Sequence, residues 1–219
     1  HAIREFTDLG SGFKIAMRDL EIRGAGNLLG AEQHGHMQAV GYDLYCKMLE
    51  EAVREEKGLK KQEDFETAID LELNAYIPPS YIPNEYQKLD IYKRIAGIET
   101  EEEMDDMIEE LIDRFGDIPR KVQKLLAIAN LKAMAHRLYI TAVEQKGEEY
   151  QFTMFEHARI RTEKIPKLLE LYKEELHFKM DTPPYFLYHK KNRNRKGKEE
   201  DPIEVVKKVL IDMKTLLES

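Results

Sequence analysis

Residues 100–116 read Thr100-Glu-Glu-Glu-Met-Asp-Asp-Met-Ile-Glu-Glu-Leu-Ile-Asp-Arg-Phe-Gly116. Met104, Met107, Ile108, Leu111 and Phe115 recur at three- and four-residue steps, which gathers apolar side chains along one side of an α-helix. Thr100 can accept a hydrogen bond from a first-turn N–H, and Glu103 can answer from three residues on, the pattern of a capping box. Gly116 offers the left-handed backbone that ends many helices. Upstream, Ala68-Ile-Asp-Leu-Glu-Leu-Asn-Ala-Tyr-Ile77 alternates apolar and polar residues, the period of a half-buried strand. Pro78, Pro79 and Pro83 prevent a regular continuation and leave an extended crossing. Strand period and helix period in one short stretch point to an α+β domain.

The same reading extends outward. Leu89, Tyr92, Ile95 and Ala96 mark a short helix stopped at Gly97, and Asp117 with Pro119 opens another carrying Val122, Leu125, Leu126, Ala129 and Met134. Residues 138–160 suggest a hairpin around Lys146-Gly147-Glu148. Ile165 to Glu175 reads as a helix with Pro166 in its first turn, and Tyr185 to Tyr188 as a strand. Pro202 to Leu217 reads as a final helix with apolar Ile203, Val206, Val209, Leu210, Met213 and Leu217. The expectation is a compact α+β domain over 67–219, with a small, mostly antiparallel sheet packed by helices. Residues 1–66 are different. The first 41 hold seven of the chain's 12 glycines, a helix is expected from Tyr42, and Gly58 to Asp64 reads as a linker.

Composition removes several function classes. Of 219 residues, 42% are hydrophobic, enough for a core, and 34 Lys+Arg stand against 42 Asp+Glu for a formal charge of -8. That balance argues against a dedicated nucleic-acid binder, which needs clustered cations. Cys46 is the single cysteine, so a disulfide scaffold is excluded and a reducing, cytoplasmic setting is expected. No apolar run reaches the length of a membrane span, no signal peptide is visible, and no partner membrane is expected. A GxxxxGK[ST] phosphate loop is absent, so this chain alone is expected neither to bind nor to hydrolyse ATP.

Several motifs have plain explanations. Gly24-Ala-Gly26-Asn-Leu-Leu-Gly30 has the wrong spacing for a dinucleotide fingerprint and reads as a tight loop before a helix. Glu32, His34 and His36 fall short of the four ligands of a structural zinc site, and no metal or cofactor is expected. His136, His157, His177 and His189 are scattered, and no catalytic residue is assigned. The basic run His189-Lys-Lys-Asn-Arg-Asn-Arg-Lys-Gly-Lys198 reads as a solvated loop. Its alternative is a duplex-DNA clamp through Lys190, Lys191, Arg193 and Arg195, with Tyr185, Phe186 and Tyr188 beside it. Residues 99–117 carry ten acidic side chains and one basic one, Arg114. Most such charge runs are solvated helix faces; the alternative reading is a surface that repels DNA and attracts an arginine-rich protein.

Three stretches carry a family resemblance. Asp8 to Tyr45, with Asp19-Leu-Glu-Ile-Arg-Gly-Ala-Gly26 at its centre, resembles the translocation motif that follows the motor domains of RecG-type proteins, in the form found in bacterial transcription-repair coupling factors. Leu89-Asp-Ile-Tyr-Lys-Arg-Ile-Ala96 and Glu110-Leu-Ile-Asp-Arg-Phe-Gly-Asp-Ile-Pro119 are similar to that family's C-terminal domain. His34 departs from the pattern, where serine is usual. The resemblance implies a C-terminal fragment of an ATP- and Mg-dependent double-stranded DNA translocase of the helicase-like hydrolases, which displaces stalled RNA polymerase and recruits UvrA for nucleotide excision repair. It implies that Arg23 and Gln33, with Gly24, Gly26 and Gly30, couple nucleotide state to translocation. It implies further that 67–219 packs intramolecularly on a UvrB-like module and masks the surface UvrA would use, through Glu109, Glu110 and Asp113.

Overall fold

The computed structural model describes residues 65–190 and 200–217. The expected translocation motif, Tyr42 helix and linker, and loop residues 191–199, lie outside the described residues. Contacts divide the chain into two units, one holding residues 74–129 and the other 65–73 with everything from 130 on.

The helical unit begins with an extended crossing, on which the Pro78 carbonyl accepts from the N–H groups of Tyr81 and Ile82. Helix α1, Glu85–Ala96, starts at Asn84, whose side chain accepts from Tyr86 N and Gln87 N at 3.0 Å each. It stops at Gly97, as its sequence predicts. Helix α2, Glu101–Phe115, is capped by Thr100 Oγ1 accepting from Glu103 N at 3.1 Å. The returning carboxylate of Glu103 accepts from Glu99 N at 3.2 Å rather than from the cap residue itself, a shifted capping box. Gly116 follows at φ 86, the positive backbone angle expected there. Two tyrosines pin this unit internally. Tyr92 Oη accepts from Ile77 N at 2.8 Å, and the Tyr81 hydroxyl lies 2.9 Å from Gly116 O and 3.1 Å from Leu111 O at the end of α2. Ile77, Ile82, Ile91, Ile95, Leu111 and Leu125 are fully buried, each such side chain contributing about 1.5–3 kcal/mol relative to exposure. Of the expected stripe on α2, Met107 and Leu111 are buried, while Met104, Ile108 and Phe115 are half-buried.

Helix α3, Arg120–Arg137, is divided between the units at residue 129/130. The sheet unit has five strands: β1 Ala68–Asp70, β2 Ile140–Lys146, β3 Glu149–Met154, β4 Leu176–Lys179 and β5 Tyr185–His189. Their order is β1-β2-β3-β5-β4, with β1 parallel to β2 and every other pair antiparallel. The expected hairpin is β2–β3, turning at Gly147 with φ 61. One row of side chains crosses all five strands, because Ile69 pairs with Val143, Val143 with Phe152, Phe152 with Phe186 and Phe186 with Phe178. The first four of these are buried, so this row is the centre of the core. Helices α4, Ile165–Tyr172, and α5, Pro202–Met213, supply further buried residues from Ile165, Leu168, Val206, Val209, Leu210 and Met213.

Three expectations need correction. The 68–77 alternation forms a paired strand only to Asp70, although burial keeps alternating to Ile77. The helix expected to reach Glu175 ends at Tyr172, where Lys173 turns the chain at φ 54 and leads into the unexpected strand β4. The last helix gives way to a 3-10 turn at Lys214–Leu217. With three residues per turn, Leu216 rather than Leu217 follows Met213 into the core, at 0% against 40% exposure.

Candidate functional site

Helix α2 spends its apolar side on the helical unit and turns its acids outward. At 3.6 residues per turn, Glu101, Glu102, Asp105, Glu109, Ile112 and Asp113 fall within about a third of its circumference, and all six are exposed. Ile112 is 49% exposed towards the C-terminal end of this face, next to Glu109 and Asp113. An exposed apolar side chain beside negative charge suits a partner that brings both cations and an apolar contact.

Glu110 behaves differently from its neighbours. It is half-buried at the edge of the acidic face, and its Oε2 meets Nη1 of Arg94 from α1 in a direct ion pair. Arg114 Nη1 stands 3.6 Å from the same oxygen, and Asp90 Oδ2 stands 3.9 Å from Arg94 Nη1. The Arg114 guanidinium also lies 4.9 Å from the centre of the Phe115 ring, which fixes its direction. Of the three acidic site residues expected from the sequence, Glu109 and Asp113 share the open face. Glu110 joins a small charge network within its own unit.

The remaining expected residues divide by place. Arg23, Gln33, Gly24, Gly26 and Gly30, with Glu32, His34 and His36, lie outside the described residues, as do Lys191, Arg193 and Arg195. Lys190 forms an ion pair with Glu200. Phe186 and Tyr188, considered as stacking surfaces, are buried strand residues, and Tyr185 is half-buried. Burial, then the charges of Glu175 and Glu200, push the Tyr188 hydroxyl up to about 12. His136 is explained by packing. Thr67 Oγ1 donates to Ile140 O at 2.7 Å and so accepts from His136 Nδ1 at 3.1 Å, while Phe65 stacks on the imidazole at 4.4 Å. Among the described residues, no three His, Cys, Asp or Glu side chains are grouped to hold a metal ion. No helix among them is long and apolar enough to cross a membrane.

The sequence reading missed Arg94, although it sits in one of the three motifs quoted for the family, and missed the junction of α4 and α5. There the buried Tyr172 donates its hydroxyl to the Asp212 carboxylate, and Lys208 Nζ lies 5.7 Å from the Tyr172 ring centre. An open cleft of about 580 Å³ borders these residues, lined also by Leu171, Lys173, Glu174 and Glu175. Burial, then the bond to Asp212, raises the Tyr172 hydroxyl far above its usual range.

The described residues form an α+β fold with a five-stranded mixed sheet, and the TRCF domain family matches residues 71–165. The chain is 52% identical over 158 residues to a transcription-repair-coupling factor of Bacillus subtilis, and 54% identical over 149 residues to that of Staphylococcus aureus strain USA300. These matches cover 72% and 67% of the chain but 13% of each relative, so the chain spans about an eighth of their length. A crystal structure of the C-terminal domain of a transcription-repair coupling factor superposes with a TM-score of 0.56 at 25% identity, covering 73% of this chain and 96% of that one. The chain belongs to the transcription-repair-coupling factor family.

Proposed function

We propose that this chain is the C-terminal part of a cytoplasmic coupling factor and serves as a releasable mask and coupling element. In the full-length protein, an ATP-driven translocase would move on double-stranded DNA, displace stalled RNA polymerase and recruit UvrA. The described domain would close on a UvrB-like module of the same protein and cover the surface that UvrA uses. The observation that carries the reading is the exposed acidic face of α2, with Ile112 exposed beside Glu109 and Asp113, on a chain half identical to named coupling factors. Arginines of the module would pair with Glu109, Asp113 and, by exchange, Glu110, while Ile112 gives the contact an apolar centre. Exposed pairs contribute about 0–1 kcal/mol each, so several give orientation and reversibility more than affinity. A mask that must open on demand requires a closed state that is weak in this sense.

ATP and Mg belong, on this reading, to motor domains elsewhere in the full-length protein. The sequence here has no phosphate loop, so this chain's residues do not fit that role. Its link to the motor would run through Arg23 and Gln33. In the full-length protein, Arg23→Ala is expected to keep nucleotide binding and lose translocation. Displacement of stalled polymerase at the normal rate would remove that role.

The mask is tested by calorimetric titration of the chain with the UvrB-like module, for wild type and Glu109→Arg/Asp113→Arg. Loss of binding in the double variant is expected. Equal binding by both proteins would move the interface off α2.

A further inference from the structure

We infer that Arg94 is an internal competitor for the partner's arginine, and that it sets how easily the mask lets go. The inference rests on the masking role proposed above and adds its regulation. Arg94 reaches across from α1 and places a guanidinium nitrogen on Glu110 Oε2, where an arginine of the partner would have to come. In effect Arg94 is a resident occupant with the same chemistry as the visitor. Its neighbours make it exchangeable rather than fixed. Asp90, one turn back on α1 at 3.9 Å, offers the guanidinium a second carboxylate when Glu110 is taken. Arg114, at 3.6 Å from the same Oε2, keeps the Glu110 carboxylate compensated during the exchange. The side chains are part-exposed, Arg94 at 43% and Glu110 at 32%, so neither is locked by burial and water can attend the swap.

The consequence is conditional on one carboxylate. Removing a cation from a surface that binds cations generally strengthens binding through the field, by an amount that falls with distance but does not depend on any one carboxylate being present. Competition for one carboxylate makes the gain conditional on that carboxylate. Arg94→Ala should therefore tighten the partner's grip about two- to fivefold, the range of an exposed ion pair. The same change in a Glu110→Gln background should do nothing further.

The experiment titrates the chain with the UvrB-like module for wild type, Arg94→Ala, Glu110→Gln and the double variant, at two salt concentrations. Arg94→Gln, which keeps most of the side-chain stem, is included with thermal melts to show that the fold is retained. Tighter binding by both Arg94 variants, abolished by Glu110→Gln, is the expected result. Unchanged or weaker binding by folded Arg94 variants overturns the competition and leaves the mask standing. An equal gain with and without Glu110 also overturns it, since the field alone then explains the gain. Should none of the proteins bind, the masking role falls and the competition falls with it.

Discussion

The helical unit and the sheet unit use charge in opposite directions. In the sheet unit a carboxylate is drawn into structure: Asp212 takes the hydroxyl of the buried Tyr172, beside Tyr188 and Tyr150. In the helical unit the hydroxyls of Tyr81 and Tyr92 go to backbone groups, and most carboxylates of α2 stay at the surface. The first arrangement stabilises a fold and offers little to a partner. The second contributes little to stability and leaves a dense field for recognition. Substitutions should separate the two: large losses of stability with inward groups, and loss of binding without loss of stability on α2.

The largest effect is expected at Phe152, the middle of the five-strand row. Phe152→Ala should cost about 3–5 kcal/mol in denaturant unfolding of the sheet unit, through lost burial and the cavity left behind. Next is Tyr172→Phe, which removes the donor to Asp212 and leaves that carboxylate half-buried. A loss of about 1.5–3 kcal/mol is expected by the same measurement, and a neutral result would mean that the pair contributes nothing inward.

Alkaline pH tests the same cluster with no mutation. Burial, then Glu200 and Glu72, holds the Tyr150 hydroxyl at about 12, and Tyr188 is likewise at about 12, against 10.0 for a free tyrosine. The unfolded chain therefore releases these protons first as pH rises. Their contribution to stability is complete below pH 10 and should be lost progressively towards pH 12. Tyrosinate absorbance followed alongside circular dichroism should show a fraction of tyrosines ionising only with unfolding. Ionisation of every tyrosine near pH 10 in the folded chain would contradict the burial of these hydroxyls.

In the helical unit, Gly116→Ala should cost about 1–3 kcal/mol in thermal melts. The added Cβ meets nothing within 4 Å, so the cost is backbone strain at φ 86. The smallest change in stability is expected for Asp113→Arg, within about 0.5 kcal/mol, as for most surface substitutions. That variant should nonetheless lose much of its affinity for the UvrB-like module.

What could be read from the sequence follows from how local each feature is. Helix α2 was legible because its stripe, cap and Gly116 lie within seventeen residues. The strand β4 was hidden, since the expected helix ran on to Glu175 and Lys173 ends it at a positive φ without the glycine that usually announces one. The acidic face was visible as a run of charge. Its inner edge was not, because Arg94 and Glu110 are sixteen residues apart on different helices. Pairing at three- and four-residue steps cannot reveal such a contact. The Tyr172–Asp212 bond spans forty residues and left no local trace.

The most direct test of the mask is competition. The chain, bound to the UvrB-like module, is challenged with UvrA while the complex is followed by sedimentation. The account predicts that UvrA displaces the chain, and more readily when Glu109→Arg/Asp113→Arg weakens the acidic face. A stable assembly of chain, module and UvrA together would contradict it.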